Sequence, residues 1–91
     1  MPRPCIRRRV RGRPNSSYFK PAGSRIIDLK EIVLTLSEFE SIRLIDFKEE
    51  SQEKSAELMQ VSQPTFSRIL KSARKKIAEA IVEGKAIKIL K

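Results

Sequence analysis

From Phe66 onward the chain places apolar residues at a helical beat. Phe66, Ile69, Leu70, Ala73, Ile77, Ala80 and Ile81 recur three and four positions apart. That spacing predicts a helix over residues 63–83 with those seven side chains forming one buried stripe. Gln63, Thr65, Ser67, Arg68, Lys71, Arg74 and Lys75 fall on or beside the opposite face. Ser62 stands at the N-cap position, where its hydroxyl accepts a backbone N–H one turn in. Pro64 lies in the first turn, where its missing N–H costs nothing, and Gly84 is a natural stop. Upstream, Ser51 caps a shorter helix expected over 52–59, with Ala56 and Met59 turned inward and Leu58 beside them. Gln60-Val61 makes the turn between the two, Val61 plugging the core. The pair reads as a helix-turn-helix.

A further helix is expected over 37–48. Ser37 and Glu40 match the S-x-x-E capping box, and Phe39, Ile42 and Ile45 are spaced to face inward with Leu44 beside them. Its acids, Glu38, Glu40 and Asp46, are expected on an outer surface. Glu38 and Glu40 would there complement the helix dipole rather than form an acid–base pair. Between residues 18 and 36 the apolar positions (Ile26, Ile27, Leu29, Ile32, Val33, Leu34, Leu36) are too dense for a free loop. No clean period decides between a short strand and a helical turn. Tyr18 and Phe19 are expected in the core or at its edge, ahead of a Pro21-Ala22-Gly23 turn. The closing KAIKILK alternates as a short strand or extended tail does. A strand needs a partner, either the Tyr18–Pro21 segment or the same tail of a second copy. The fold class expected is mainly α: a small helical domain over 18–91 with room for a strand pair from its terminal segments, behind a basic flexible arm over 1–17.

Charge changes the picture from fold to partner. The 91 residues carry a formal charge of +9, and residues 1–25 hold eight cations and no acid. Between Gln63 and Lys76 there are five cations and again no acid, although a merely solvated helix usually mixes signs. Both features favour a polyanion. The arm's six arginines and three prolines cannot make a core. Such an arm lies along phosphates or enters an adjacent minor groove, the bland alternative being a solvated tail. No apolar run is long enough for a membrane span or a secretory signal. The lone cysteine, Cys5, forms no internal disulfide and fits a cytoplasmic protein. With no histidine and no CxxC pair, neither a zinc site nor histidine-based catalysis is expected. The chain is read as a non-enzyme without cofactor or metal.

The stretch SQEKSAELMQVSQPTFSRILKSARKKI, Ser51 to Ile77, resembles the recognition unit in the fourth conserved region of bacterial sigma factors. The likeness extends over Leu36 to Ile81. The whole chain is also similar to an uncharacterised prokaryotic family of small DNA-binding proteins. Its landmarks are the MPRP opening with its arginine run, Tyr18-Phe19-Lys20-Pro21, Leu34-Thr35-Leu36, Val61-Ser62, Thr65-Phe66, Arg68-Ile69-Leu70, Ala73-Arg74-Lys75-Lys76 and Gly84-Lys85-Ala86. The sigma resemblance implies base-reading roles for Gln63, Thr65, Ser67 and Arg68. Two departures matter. Pro64 replaces an acid that commonly accepts from cytosine, and Gln60 replaces a common glycine, costing about 1 kcal/mol if φ is positive there.

The function expected is sequence-specific binding of double-stranded DNA by a transcriptional regulator. Arg68 would contact guanine and Gln63 adenine, while Lys71, Arg74 and Lys75, with Arg7, Arg8, Arg9 and Arg11 of the arm, neutralise phosphates. Two other readings stand beside it: a module that docks on RNA polymerase or another protein through its acidic helix, and a non-specific nucleic-acid binder. RNA reading through the arm is disfavoured by the scarcity of stacking aromatics. A homodimer joined through the C-terminal strand is the expected assembly.

Overall fold

A computed structural model gives the fold and describes residues 9–90, the side chain of Ile26 excepted. The elements in chain order are β1 (Tyr18–Phe19), a 3-10 turn (Ile26–Asp28), β2 (Glu31–Leu34), α1 (Leu36–Ile42), a π-helical turn (Arg43–Phe47), α2 (Gln52–Met59), α3 (Gln63–Glu83) and β3 (Ala86–Ile89). The class is mainly α, with one small sheet.

Each helix starts and stops for a local reason. Ser51 Oγ accepts from Lys54 N at the head of α2, and Ser62 Oγ from Thr65 N at the head of α3. Both then end on a left-handed residue, Gln60 (φ 58) and Gly84 (φ 69). The next N–H folds back across the helix end in each case, Val61 to Ala56 O and Lys85 to Ala80 O.

Helix α1 corrects the expected start. Its cap is Thr35, not Ser37: Thr35 Oγ1 accepts from Glu38 N at 3.1 Å, and Glu38 Oε1 accepts from Thr35 N at 2.9 Å. Thr-x-x-Glu and Ser-x-x-Glu overlap in the sequence. The extended backbone of β2 runs to Leu34, so Thr35 is where extended conformation ends and the cap falls there. At its other end α1 widens, Lys48 N reaching Arg43 O, five residues back. Glu49, at φ 60, then turns the chain toward α2.

The sheet differs from the expected strand pair. Its order is β1-β3-β2, with β3 antiparallel to β1 (Tyr18 opposite Lys88) and parallel to β2 (Leu34 opposite Ile89). The terminal segments do pair, and the 31–34 segment, open between strand and helix in the sequence, supplies the third strand. Because β3 is central, both its edges are occupied within the chain. The tail cannot pair with a second copy without displacing β1 or β2.

Two apolar clusters meet around Ile42. Leu44, Ala56, Met59, Phe66 and Leu70 join α2 to the first half of α3, with Val61 packed against them. Leu34, Ala73 and Ile89 join the sheet to its second half, with Phe39 and Ile77 alongside. Leu44, placed only beside the inward face in the sequence, is 2% exposed. Ile81 is the opposite correction. It is 74% exposed, whereas Ala80 beside it is buried and Ile77 packs against the sheet. Phe19 is also half exposed, although Tyr18 is fastened across the sheet by its hydroxyl to Glu31 Oε2 at 2.8 Å.

Candidate nucleic-acid interface

Burying Phe66, Leu70 and Ala73 turns the other side of α3 outward. Gln63, Ser67, Arg68, Lys71 and Lys75 are all exposed there. Thr65 stands apart from them. It is half-buried, and its Oγ1 accepts a hydrogen bond from Ser62 Oγ at 3.0 Å, which ties the hydroxyl to the cap. A turn of three residues, Gln60 to Ser62, separates this helix from α2.

The five cations of the helix divide into two sets. Arg74 is gripped in bidentate fashion by Asp46 of the π-helical turn, Nη2 to Oδ1 at 2.6 Å and Nε to Oδ2 at 3.2 Å. That hydrogen bonding holds its pKa above the ordinary arginine value. Lys76 Nζ donates to Val33 O at 2.7 Å and to Glu38 Oε1 at 2.9 Å. Arg68, Lys71 and Lys75 form the second set. Among the described residues none of them makes an ion pair, Lys75 only lowering the Glu79 pKa through its charge.

The acids of α1 overturn the expectation of an exposed acidic face. Glu38 is 7% exposed and Glu40 is fully buried. Glu38 caps its own helix and also accepts from Ser72 Oγ at 2.6 Å and from Lys76, which fastens α1 to α3. Burial pushes its carboxyl upward, but these hydrogen bonds and the Lys76 charge outweigh it and hold the pKa below the ordinary value. Starting the helix at Thr35 moves Glu40 out of the first turn and into the body, where it needs partners of its own.

Glu40 finds those partners in Arg43 and in the N-terminal segment. Its Oε1 accepts from Arg43 Nε at 2.7 Å and from Gly12 N at 3.3 Å. Its Oε2 accepts from Arg43 Nη2 at 2.9 Å and from Arg11 N at 3.0 Å. Again burial acts upward, and the guanidinium with the two amides prevails, so the pKa lies below the usual range. Gly12 suits this approach: a Cβ there would overlap the Arg43 side chain, which would have to shift. Arg9 N donates to Met59 O at 3.1 Å, and Ile89 N to Ser17 O at 2.9 Å. Residues 9–17, expected as part of a flexible arm, are therefore fastened to the domain, with Arg9 and Arg11 exposed. Arg7 and Arg8, and with them Cys5, lie outside the described residues.

The sequence reading missed this carboxylate. The i,i+3 spacing of Glu40 and Arg43 was a signal for the ion pair, but nothing local announced the two amides from 28 and 29 positions away. Among the described residues no group of three or more His, Cys, Asp or Glu side chains is placed to hold a metal ion. Nor is any described helix long and apolar enough to cross a membrane.

Residues 1–91 match the family described as "Protein of unknown function DUF134". A UPF0251 protein of Caldanaerobacter subterraneus subsp. tengcongensis is 53% identical over 89 residues, covering 98% of this chain and 75% of the relative. One from Thermoanaerobacter pseudethanolicus is 52% identical with the same coverage. One from Moorella thermoacetica is 53% identical, and there the match spans 60% of the relative. No solved structure matches the chain.

Proposed function

The chain belongs to the DUF134 family, and we propose that it is a sequence-specific double-stranded DNA-binding protein that regulates transcription. In this reading α3 enters the major groove. The observation that carries it is the outward face of α3, where Arg68, Lys71 and Lys75 stand without acidic partners among the described residues, behind a turn of three residues. A helix held from behind by its apolar stripe and cationic in front is built to approach phosphates closely. The resemblance of Ser51–Ile77 to the sigma-factor recognition unit supports the same docking.

Roles then follow from placement. Arg68 offers a bidentate contact to guanine, and Gln63 an amide contact to adenine. Ser67 lies beside them, whereas the Thr65 hydroxyl holds the helix cap and its base-reading role recedes. Lys71 and Lys75 neutralise phosphates. Arg74 reaches one only in competition with Asp46. The arm adds positive charge along the backbone or in the adjacent groove. Docking on RNA polymerase through an acidic helix loses its basis here, since Glu38 and Glu40 point inward.

Selection of bound sequences from a random duplex pool tests the reading. An enriched motif is expected; retention without enrichment would make the protein a non-specific binder instead. Arg68→Ala should cost roughly 1–3 kcal/mol on the selected site and relax its sequence preference. An equal loss on every sequence would refute base reading.

A further inference from the structure

We propose that Arg9, Arg11 and Arg13 form a pre-ordered ridge that binds the phosphate backbone of duplex DNA, with the buried Glu40 carboxylate as its positioning residue. The proposal rests on the DNA-binding reading of α3 and deepens the part the arm takes in it.

Three observations carry it. Residues 9–14 alternate exposed and half-buried: Arg9, Arg11 and Arg13 outward, Val10, Gly12 and Pro14 inward. The alternation sets the three arginines on the outer side of the segment. Second, the segment is held by its backbone and not by its charges. Glu40 takes the N–H groups of Arg11 and Gly12, and Met59 O takes that of Arg9. All three guanidiniums are thereby left over, and none makes an ion pair among the described residues. Third, Met59 is the last residue of α2, so the ridge begins beside the turn that leads into α3.

A segment needed only to cover α1 would not have to spend three outward positions on one sign of charge. Conversely, a basic tail used only for its charge would not need a sealed carboxylate beneath it. Glu40 reconciles the two. It absorbs the backbone amides inside the protein, so the ordering cost falls on folding and not on DNA binding. Arg43 completes the clip by filling the space a Gly12 side chain would occupy.

The test compares two full-length variants with the wild type on a random-sequence DNA duplex across a salt series. Arg9→Gln/Arg11→Gln/Arg13→Gln keeps every backbone amide and so keeps the clip. The slope of log affinity against log salt should fall by about 2 to 3 in magnitude. An unchanged slope would show that the ridge touches no phosphate. Glu40→Ala keeps every arginine but removes the acceptor of the Arg11 and Gly12 amides, and affinity should drop roughly tenfold. Wild-type affinity in that variant, with far-UV circular dichroism showing it folded, would mean the arginines act as free charge. Amide hydrogen exchange on the free wild-type protein decides the same point without any variant. Slow exchange at Arg11 and Gly12 is expected, and fast exchange overturns pre-ordering. Arg68→Ala/Lys71→Ala/Lys75→Ala separates the two ideas. If that variant binds less and the ridge variant does not, only the ridge fails; if it binds as tightly as the wild type, the α3 reading fails; if the wild type does not bind duplex DNA, both fail.

Discussion

Replacing Glu40 by alanine should be strongly destabilising. The side chain is fully buried and accepts four hydrogen bonds, two from Arg43 and two from backbone amides. Removing one partner of a buried ion pair costs about 3–5 kcal/mol, because the other charge is stranded. Here the Arg43 side chain retains 23% exposure, so it recovers part of its hydration. The Arg11 and Gly12 amides can also rehydrate if the N-terminal segment lifts away, which limits the charge for leaving them unpaired. A loss of roughly 3 kcal/mol follows, against a total of about 5–14 kcal/mol for a chain of this length. The variant should still fold at 25 °C, with a Tm roughly 12–24 °C lower. Urea unfolding with the slope m compared between proteins measures this directly. A loss below about 1 kcal/mol would refute the reasoning, since it would mean that water already reaches the carboxylate.

The same carboxylates set an acid limit. Glu38 and Glu40 have pKa values lowered in the folded state, so their stabilisation is present above the unfolded value, about 4.3, and is lost as pH falls through the folded values. Wild-type stability should drop steeply in that acidic window and Glu40→Gln less so; parallel curves for the two proteins would rule this out. At the turn, Gln60 adopts φ 58 without being glycine, and Gln60→Gly should raise stability by about 0.5–1 kcal/mol in a thermal melt. A lower Tm would show that the Gln60 side chain contributes more than its backbone strain costs. Asp46→Asn should free Arg74 and tighten DNA binding while changing stability by less than about 1 kcal/mol, the pair being half exposed. Weaker binding in a filter or fluorescence titration would mean that Asp46 orients Arg74 for its contact.

What could be read from the chain follows the range of the forces involved. Ser51, Ser62 and Gly84 act within one turn of themselves, so the limits of α2 and α3 were visible in sequence. The mainly α class followed from them. The start of α1 was ambiguous, because two overlapping cap motifs differ only in where the preceding strand ends. Strand β2 was undecided because its partner, β3, lies at the other end of the chain and pairs in parallel. Ile81 kept the helical beat but lost its cover, since periodicity records what faces one way and not what arrives to meet it. Of the candidate site, the outward cations of α3 were legible from spacing alone. That Arg74 and Lys76 are held by acids on other elements was not, nor was the carboxylate under the arginine segment. Those contacts join residues 28 to 38 positions apart.

The placing of β3 at the centre of the sheet has a consequence for how the chain is made. Ala86 follows Glu83, the last residue of α3, by only three positions, so α3 and β3 leave the ribosome almost together. Strands β1 and β2 emerge earlier, yet neither touches the other in the strand order, and both must wait for the same late segment. Closing ladders over such separations is slow relative to helix pairing. The sheet should therefore close last, once Gly84 turns the chain and delivers the common partner of β1 and β2. Stopping translation just before Ala86 would remove the entire sheet, not a third of it.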